Sequence, residues 1–236
     1  MGTRAAPPAF PIKNGGFIVR KIIFIVLAMV MLVSVIGAGA DTARAAASIK
    51  VGDVIKFGRY DWRVLEIRGN RALLLSDKII GKRRYHEYSH VTWETSSLRR
   101  YLNSPRFIID NFSEREEARI EEVRAPNKDN PWYGTKGGNV TVDKIFLLSL
   151  EDVVKYFGDS GQLRNRPSKE RFIYDRNNSR RIALDTNGTP SWWWLRSPGG
   201  GSNLAAFVSD GGSVYVSGDL VNSDSGGVRP ALWLNL

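Results

Sequence analysis

Residues 49–57 (IKVGDVIKF), 61–68 (DWRVLEIR) and 71–76 (RALLLS) place apolar side chains such as Trp62, Val64 and Ile67 among charged neighbours. Alternation of this kind is the mark of strands with one buried face. Gly69-Asn70 between the last two is a tight-turn signal, so the folded part of the chain is expected to open on an antiparallel meander. Over 93–103 the spacing changes: Leu98, Tyr101 and Leu102 recur at helical intervals, and Pro105 stops that helix soon after. Ser113-x-x-Glu116 is a capping box ahead of a second helix in EEARIEEV. Residues 126–142 read as a loop rich in Asn, Gly and Pro. A short buried strand follows at 144–148 (KIFLL). Ser149-x-x-Asp152 then caps a helix, EDVVKYF, which Gly158 ends. Residues 159–171 are polar and basic and read as an exposed loop, with a short helix at 178–184. From Trp192 onward the pattern is all-β: WWWLRS, AAFVS, GSVYVSG and VRPALWL, punctuated by Gly/Ser turns. No internal repeat is visible. Strands, then helices, then many short strands argue an α+β domain.

The N-terminal segment follows a different pattern. Residues 22–40 (IIFIVLAMVMLVSVIGAGA) carry no charge, Arg20 and Lys21 precede them, and Ala43 and Ala45 follow. A basic flank, an apolar run and an A-x-A site are the parts of a secretory signal peptide. The same run can also just span a bilayer as an uncleaved anchor. The expected organisation is a leader and signal peptide or anchor over 1–46, and one domain over 47–236. The expected location is secreted or extracytoplasmic, with residues 22–40 as the membrane anchor if they are not cleaved.

Composition narrows the chemistry. The chain has no cysteine and two histidines, His86 and His90. Disulfides, thiolate metal sites, cysteine nucleophiles and three-imidazole sites are therefore excluded within one copy. The whole chain carries +10. Without Arg4, Lys13, Arg20, Lys21, Arg44 and Asp41 it keeps 29 basic against 23 acidic residues, a net +6. That charge attracts acidic polymers or surfaces weakly. Nucleic acid is not an expected partner, since no binding motif is present. No G-x-S-x-G, H-E-x-x-H or P-loop occurs, and no catalytic residues are assigned.

The fragments IKFGRYDWRVLEI, LLLSDKII, TWETSSLRRYLN, NPWYGTKGGN, TVDKIFLLSLEDVVKYFG, WWWLRSPG and VRPALWLNL together resemble an uncharacterised family of bacterial extracytoplasmic domains of unknown function. The C-terminal half, with W-L-R-S-P-G and a closing V-R-P-A, is also similar to the C-type-lectin-like group that includes formylglycine-generating enzymes. That resemblance implies a C-type-lectin-like fold with antiparallel sheets, flanking helices and long loops that form the binding face. The copper chemistry of those enzymes needs cysteines, which this chain lacks.

Candidate ligand-binding residues cluster in the last third: Trp192, Trp194, Arg196, Asn203, Phe207, Asp210, Tyr215, Asp219, Asn222 and Asp224. Rings supply contact area at low entropy cost, and small polar residues supply hydrogen bonds without bulk. The three consecutive tryptophans 192–194 and the arginines 196 and 229 also have a structural reading, as core aromatics and as guanidinium locks held by carboxylates. No metal ligands and no cofactor are assigned. Calcium stays open, because Asp210, Asp219 and Asp224 lie in Gly/Ser loops. The expected function is a non-catalytic module recognising an extracellular or envelope glycan, cell-wall polymer or protein. The alternatives are an enzyme on a formylglycine-generating-type scaffold and a structural assembly module.

Overall fold

The computed structural model describes residues 1–3, 49–88 and 90–236, and Lys50–Leu236 form one compact unit. The signal or anchor at 22–40 and its cleavage site lie outside the described residues. In chain order the elements are β1 (Val54–Phe57), β2 (Tyr60–Arg68), β3 (Arg71–Ser76), β4 (Gly81–Lys82), α1 (Ser97–Leu102), α2 (Pro105–Asn111), α3 (Glu114–Glu117), β5 (Ile120–Glu121), β6 (Val123–Ala125), β7 (Thr141–Asp143) and β8 (Phe146–Leu147). There follow α4 (Leu150–Phe157), α5 (Asn178–Arg181), β9 (Ala183–Leu184), β10 (Pro190–Ser191), β11 (Trp193–Pro198), β12 (Leu204–Val208), β13 (Val214–Leu220), β14 (Gly227–Val228) and β15 (Pro230–Asn235).

Two sheets carry the fold. The first runs β1-β2-β3-β15-β5, with β8 also on β15, and is antiparallel throughout. The expected meander is present, and the last strand of the chain lies against its third. The second sheet runs β13-β12-β11-β14-β4 and is antiparallel except where β11 meets β14. Two-stranded ribbons pair β6 with β7 and β9 with β10. The fold is therefore mixed α and β, with mostly antiparallel sheets and few helices. β3 and β11 are buried along nearly their whole length, so they show no polar alternation. The sheets are joined by a backbone bond from Arg196 N of β11 to Leu148 O, just past β8.

Serine caps set the helix starts. Ser96, Ser104, Ser113 and Ser149 each accept a backbone N–H of the first turn, and the expected boxes at Ser113–Glu116 and Ser149–Asp152 are both closed. Gly158 ends α4 with φ +85°, a conformation that a Cβ disfavours. Three expectations need correction. Pro105 stops α1 but also begins α2, because its missing N–H and fixed φ suit the first helical position. The capping box at Ser113 starts only one turn, Glu114–Glu117; Ile120 and Val123 then enter β5 and β6, where pairing with β15 and β7 overrides helical propensity. The helix at 178–184 ends at Arg181, and Ala183–Leu184 form a ribbon.

A carboxylate ties α4 to the first sheet. Glu66 of β2 accepts from Tyr156 Oη at 2.5 Å, Lys155 Nζ at 2.7 Å and Arg68 Nε at 2.6 Å. Burial alone raises its pKa, but the bonds from Lys155, Tyr156 and Arg68 outweigh that and hold it at about 2, against an ordinary 4.5. Its stabilising contribution is whole above pH 4.5 and is lost as pH falls toward 2. Glu66→Gln is expected to cost about 1–2 kcal/mol at pH 7 and to flatten the acid limb of stability between pH 4.5 and 2. Urea unfolding across that range checks it; an unchanged acid limb refutes the assignment.

Candidate functional site

On β11, β12 and β13 the two faces differ. Trp193, Leu195, Ala206, Val208, Val214 and Val216 are fully buried on one face. The other face carries Trp192 and Trp194 before and within β11, Phe207 on β12 and Tyr215 on β13, brought level by the register Trp194↔Phe207 and Phe207↔Tyr215. Ile173 bridges Val214 and points into the core, so Phe172 beside it joins the outward row.

These rings form a continuous column. Phe172 stacks on Tyr215 with centroids 4.9 Å apart, Tyr215 on Phe207 at 4.5 Å and 13°, and Phe207 meets Trp192 edge-on at 5.2 Å. The line continues inward through Trp194 (4.7 Å from Trp192), Tyr85 and Trp93, which are buried. Phe172, Tyr215, Phe207 and Trp192 are only half-buried. Stacking has a chemical consequence: Tyr215 and Phe207 turn faces to each other, and the stack runs on through Tyr215 to an outer end. That end is Phe172. It borders a shallow groove of about 610 Å³ with Gln162, Pro167, Glu170 and Tyr174, the last of which is 70% exposed.

The groove wall is braced by Arg166. Its guanidinium lies 5.0 Å from the Trp132 ring and 4.6 Å from the Tyr133 ring. It also donates to Glu170 O, Trp132 O and Tyr133 Oη. Trp132 Nε1 donates to Leu163 O, so the Asn/Gly/Pro loop and the basic loop are clasped together. Arg164, Lys169, Arg171 and Arg176 of this segment are exposed, as is Glu170, while Asp175 is turned inward and paired with Arg181. The groove offers the Phe172 and Tyr174 rings, an amide and a carboxylate, with exposed basic residues in the adjoining chain.

The structure brings Trp192, Phe207 and Tyr215 together and separates the other candidates. Trp194 is fully buried, its Nε1 donating to Arg83 O, and Gly226 lies so close that a Cβ there would fall 1.9 Å from that nitrogen. Arg196 is 5% exposed and spends its donors on Asp152, Leu147 O and Pro126 O. Neither touches a surface, so both are corrected to core residues. Burial holds the pKa of Tyr85, whose hydroxyl donates to Arg196 O, well above its ordinary value. Asp210 sits in the β12–β13 turn, while Asp219 pairs with Ala205 at the far end of that hairpin and Asn203 O accepts Val221 N there. Asn222 and Asp224 are exposed beyond β13, Asp224 lying 4.0 Å from Arg84. The three aspartates thus do not share a site, and among the described residues no three His, Asp or Glu side chains converge as metal ligands. His86 and His90 are not a helical pair: His86 Nδ1 accepts Ser97 N, and His90 Nδ1 faces Ser202 Oγ at 2.6 Å.

Gln162 and Arg166 were missed in the sequence because 159–171 looked like plain solvated loop, and Phe172 and Tyr174 fell between the helix expected at 178 and that loop. The available signal was the alternation Phe172-Ile173-Tyr174, strand-like and directly after it.

A family model described as "Domain of unknown function (DUF6273)" matches residues 69–236, well over half the chain. No curated protein and no solved structure matches.

Proposed function

We propose, for a chain that belongs to the DUF6273 family of domains of unknown function, a non-catalytic module that binds an anionic extracellular or envelope glycan at the Phe172 end of the ring column. One observation carries this reading. Four half-buried rings cross the open face of a rigid sheet and end at Phe172, in the wall of a largely apolar groove that also holds Gln162, Glu170 and the exposed Tyr174 ring. A sugar's C–H face stacks on such a ring, and its hydroxyls are within the chemistry of Gln162 and Glu170. The basic residues around the groove favour an acidic polymer over a neutral one. The scaffold is read as C-type-lectin-like. Support comes from the last strand lying beside the N-terminal meander, and from loops of the second half forming the candidate face. Export, expected from residues 22–40, would present the module to such a polymer.

The test is a glycan and cell-wall polymer array with the intact chain, repeated with calcium and with chelator. Hits are followed by titration of Phe172→Ala and of Tyr174→Ala. Wild type is expected to bind acidic glycans. Phe172→Ala is expected to weaken binding about tenfold or more, the effect of losing one stacking platform. Tyr215→Phe should bind as wild type. No glycan bound by wild type, or equal binding by Phe172→Ala, overturns the reading.

A further inference from the structure

A second cleft, of about 630 Å³, is lined by another set of residues, including Arg63, Asp77, Lys78, Arg180 and Arg229, with Phe157, Ile182 and Leu184 giving an apolar wall. Arg229 is 3% exposed and lies 4.9 Å from the Trp193 ring. Its Nε donates to Ser76 O at 3.0 Å and its Nη2 to Asp77 O at 3.4 Å, while its Nη1 is buried without a hydrogen-bond partner. A buried guanidinium is normally held by a carboxylate. The nearest carboxylate, Asp77, is already engaged: Arg63 Nη2 donates to its Oδ1 at 2.7 Å. Among the described residues, Arg229, Lys78 and Arg180 have no carboxylate within ion-pair distance. Burial accordingly lowers the Arg229 pKa to about 10 despite the attraction of Asp77.

Arg196 shows the contrast. It is as deeply buried, and it has its carboxylate in Asp152 at 2.7 Å. The two arginines flanked by proline and apolar residues therefore differ in kind: one is neutralised within the fold, the other leaves positive charge under an open cleft. With Arg63 matched by Asp77, three unmatched cations converge there.

We infer that this cleft is an anion site, and that its ligand is a phosphate ester carried on a sugar- or polyol-sized body. Three cations suit a multiply charged oxyanion better than a single carboxylate, and the cleft is larger than inorganic phosphate needs. Tyr156 also lines the cleft, but its hydroxyl already donates to Glu66, so the anion is met by the cationic nitrogen donors and the Ser179 hydroxyl. The site does not depend on the ring column.

The experiment is calorimetric titration of the intact chain with glycerol phosphate, inorganic phosphate and glycerol at matched ionic strength. The wild type is compared with a Lys78→Gln, Arg180→Gln double variant. Both substituted side chains are exposed, so the variant is expected to fold with an unchanged Tm. Glycerol phosphate is expected to bind saturably, inorganic phosphate more weakly and glycerol not at all. The double variant should lose about tenfold or more in affinity. In ¹⁵N spectra the buried Arg229 Nε–H signal should shift on titration with glycerol phosphate. Absence of saturable phosphate binding, equal affinity in the double variant, or an Arg229 signal that stays put while phosphate binds would each overturn the assignment.

Discussion

Arg196→Ala is expected to lower the unfolding free energy by about 3 kcal/mol, toward the lower end of what breaking a buried ion pair costs. The side chain joins four parts of the chain. From β11 its Nη1 reaches Asp152 Oδ2 in the first turn of α4 and Leu147 O in β8, and its Nε and Nη2 reach Pro126 O at the start of the long loop. The guanidinium also lies 5.6 Å from the Phe146 ring. Truncation leaves two carbonyls without donors and Asp152 without its cation. Asp152 keeps its capping bond to Ser149 N and is 26% exposed, so water recovers part of the loss. Arg196→Lys keeps the charge but not the planar fork, and should recover only part of the difference. Urea unfolding at pH 7 gives both values. A loss below 1 kcal/mol for the alanine variant would falsify the role given to this residue.

Arg196 and Arg229 also show how far a sequence can be read. Both stand among apolar residues, and the rule that buried charge needs a partner gave each the same expectation. That rule names the need and not the supplier. Asp152 supplies Arg196 because α4 happens to start beneath β11, a fact of tertiary packing. No carboxylate reaches Arg229, because Asp77 is drawn to Arg63 across β2 and β3. Local signals did better: four serines start helices and Gly158 ends one, each through atoms within a few residues. They failed where strand pairing competes, as at Ile120 and Val123.

The ring column was half legible for the same reason. Alternation along a strand sets Trp193 and Leu195 on the face opposite Trp192 and Trp194, and two of the candidates, Phe207 and Tyr215, are neighbours in strand register. Alternation could not separate Trp192 from Trp194, which share a face. The difference arises because Gly226 and Arg83 cover Trp194 from 32 residues downstream and 111 upstream. The alternation Phe172-Ile173-Tyr174 marks a short extended segment, but not its place beside Tyr215, which depends on one isolated bridge, Ile173 to Val214.

Asp143→Ala is the substitution expected to cost most, about 3–5 kcal/mol, or roughly 10 °C in Tm for a domain of this size. Its side chain is wholly buried. Oδ2 accepts from Trp93 Nε1 at 2.9 Å and from Thr141 Oγ1 at 2.6 Å, and Oδ1 accepts from Arg99 Nε at 2.6 Å. Without it an indole N–H is left in the core with no acceptor, the Thr141 hydroxyl keeps only the long contact to Ala125 O at 3.5 Å, and Arg99 loses its counter-charge. The structural stake is the β6–β7 ribbon. A two-stranded ribbon has little stability of its own, and Asp143 ties β7 to Trp93 at the inner end of the ring column and, together with the Arg99 Nη2 bond to Val142 O, to α1. Asp143→Asn should fall between wild type and alanine, since one amide oxygen can still accept but the charge matched to Arg99 is gone. Removing the orphaned partners as well, with Thr141→Val and Arg99→Leu beside Asp143→Leu, should return part of the loss, because the cost lies in unpaired groups more than in the bonds themselves. Equal stability of the single and triple variants in urea would show that the polar cluster does not carry the ribbon, and that packing of Trp93 alone does.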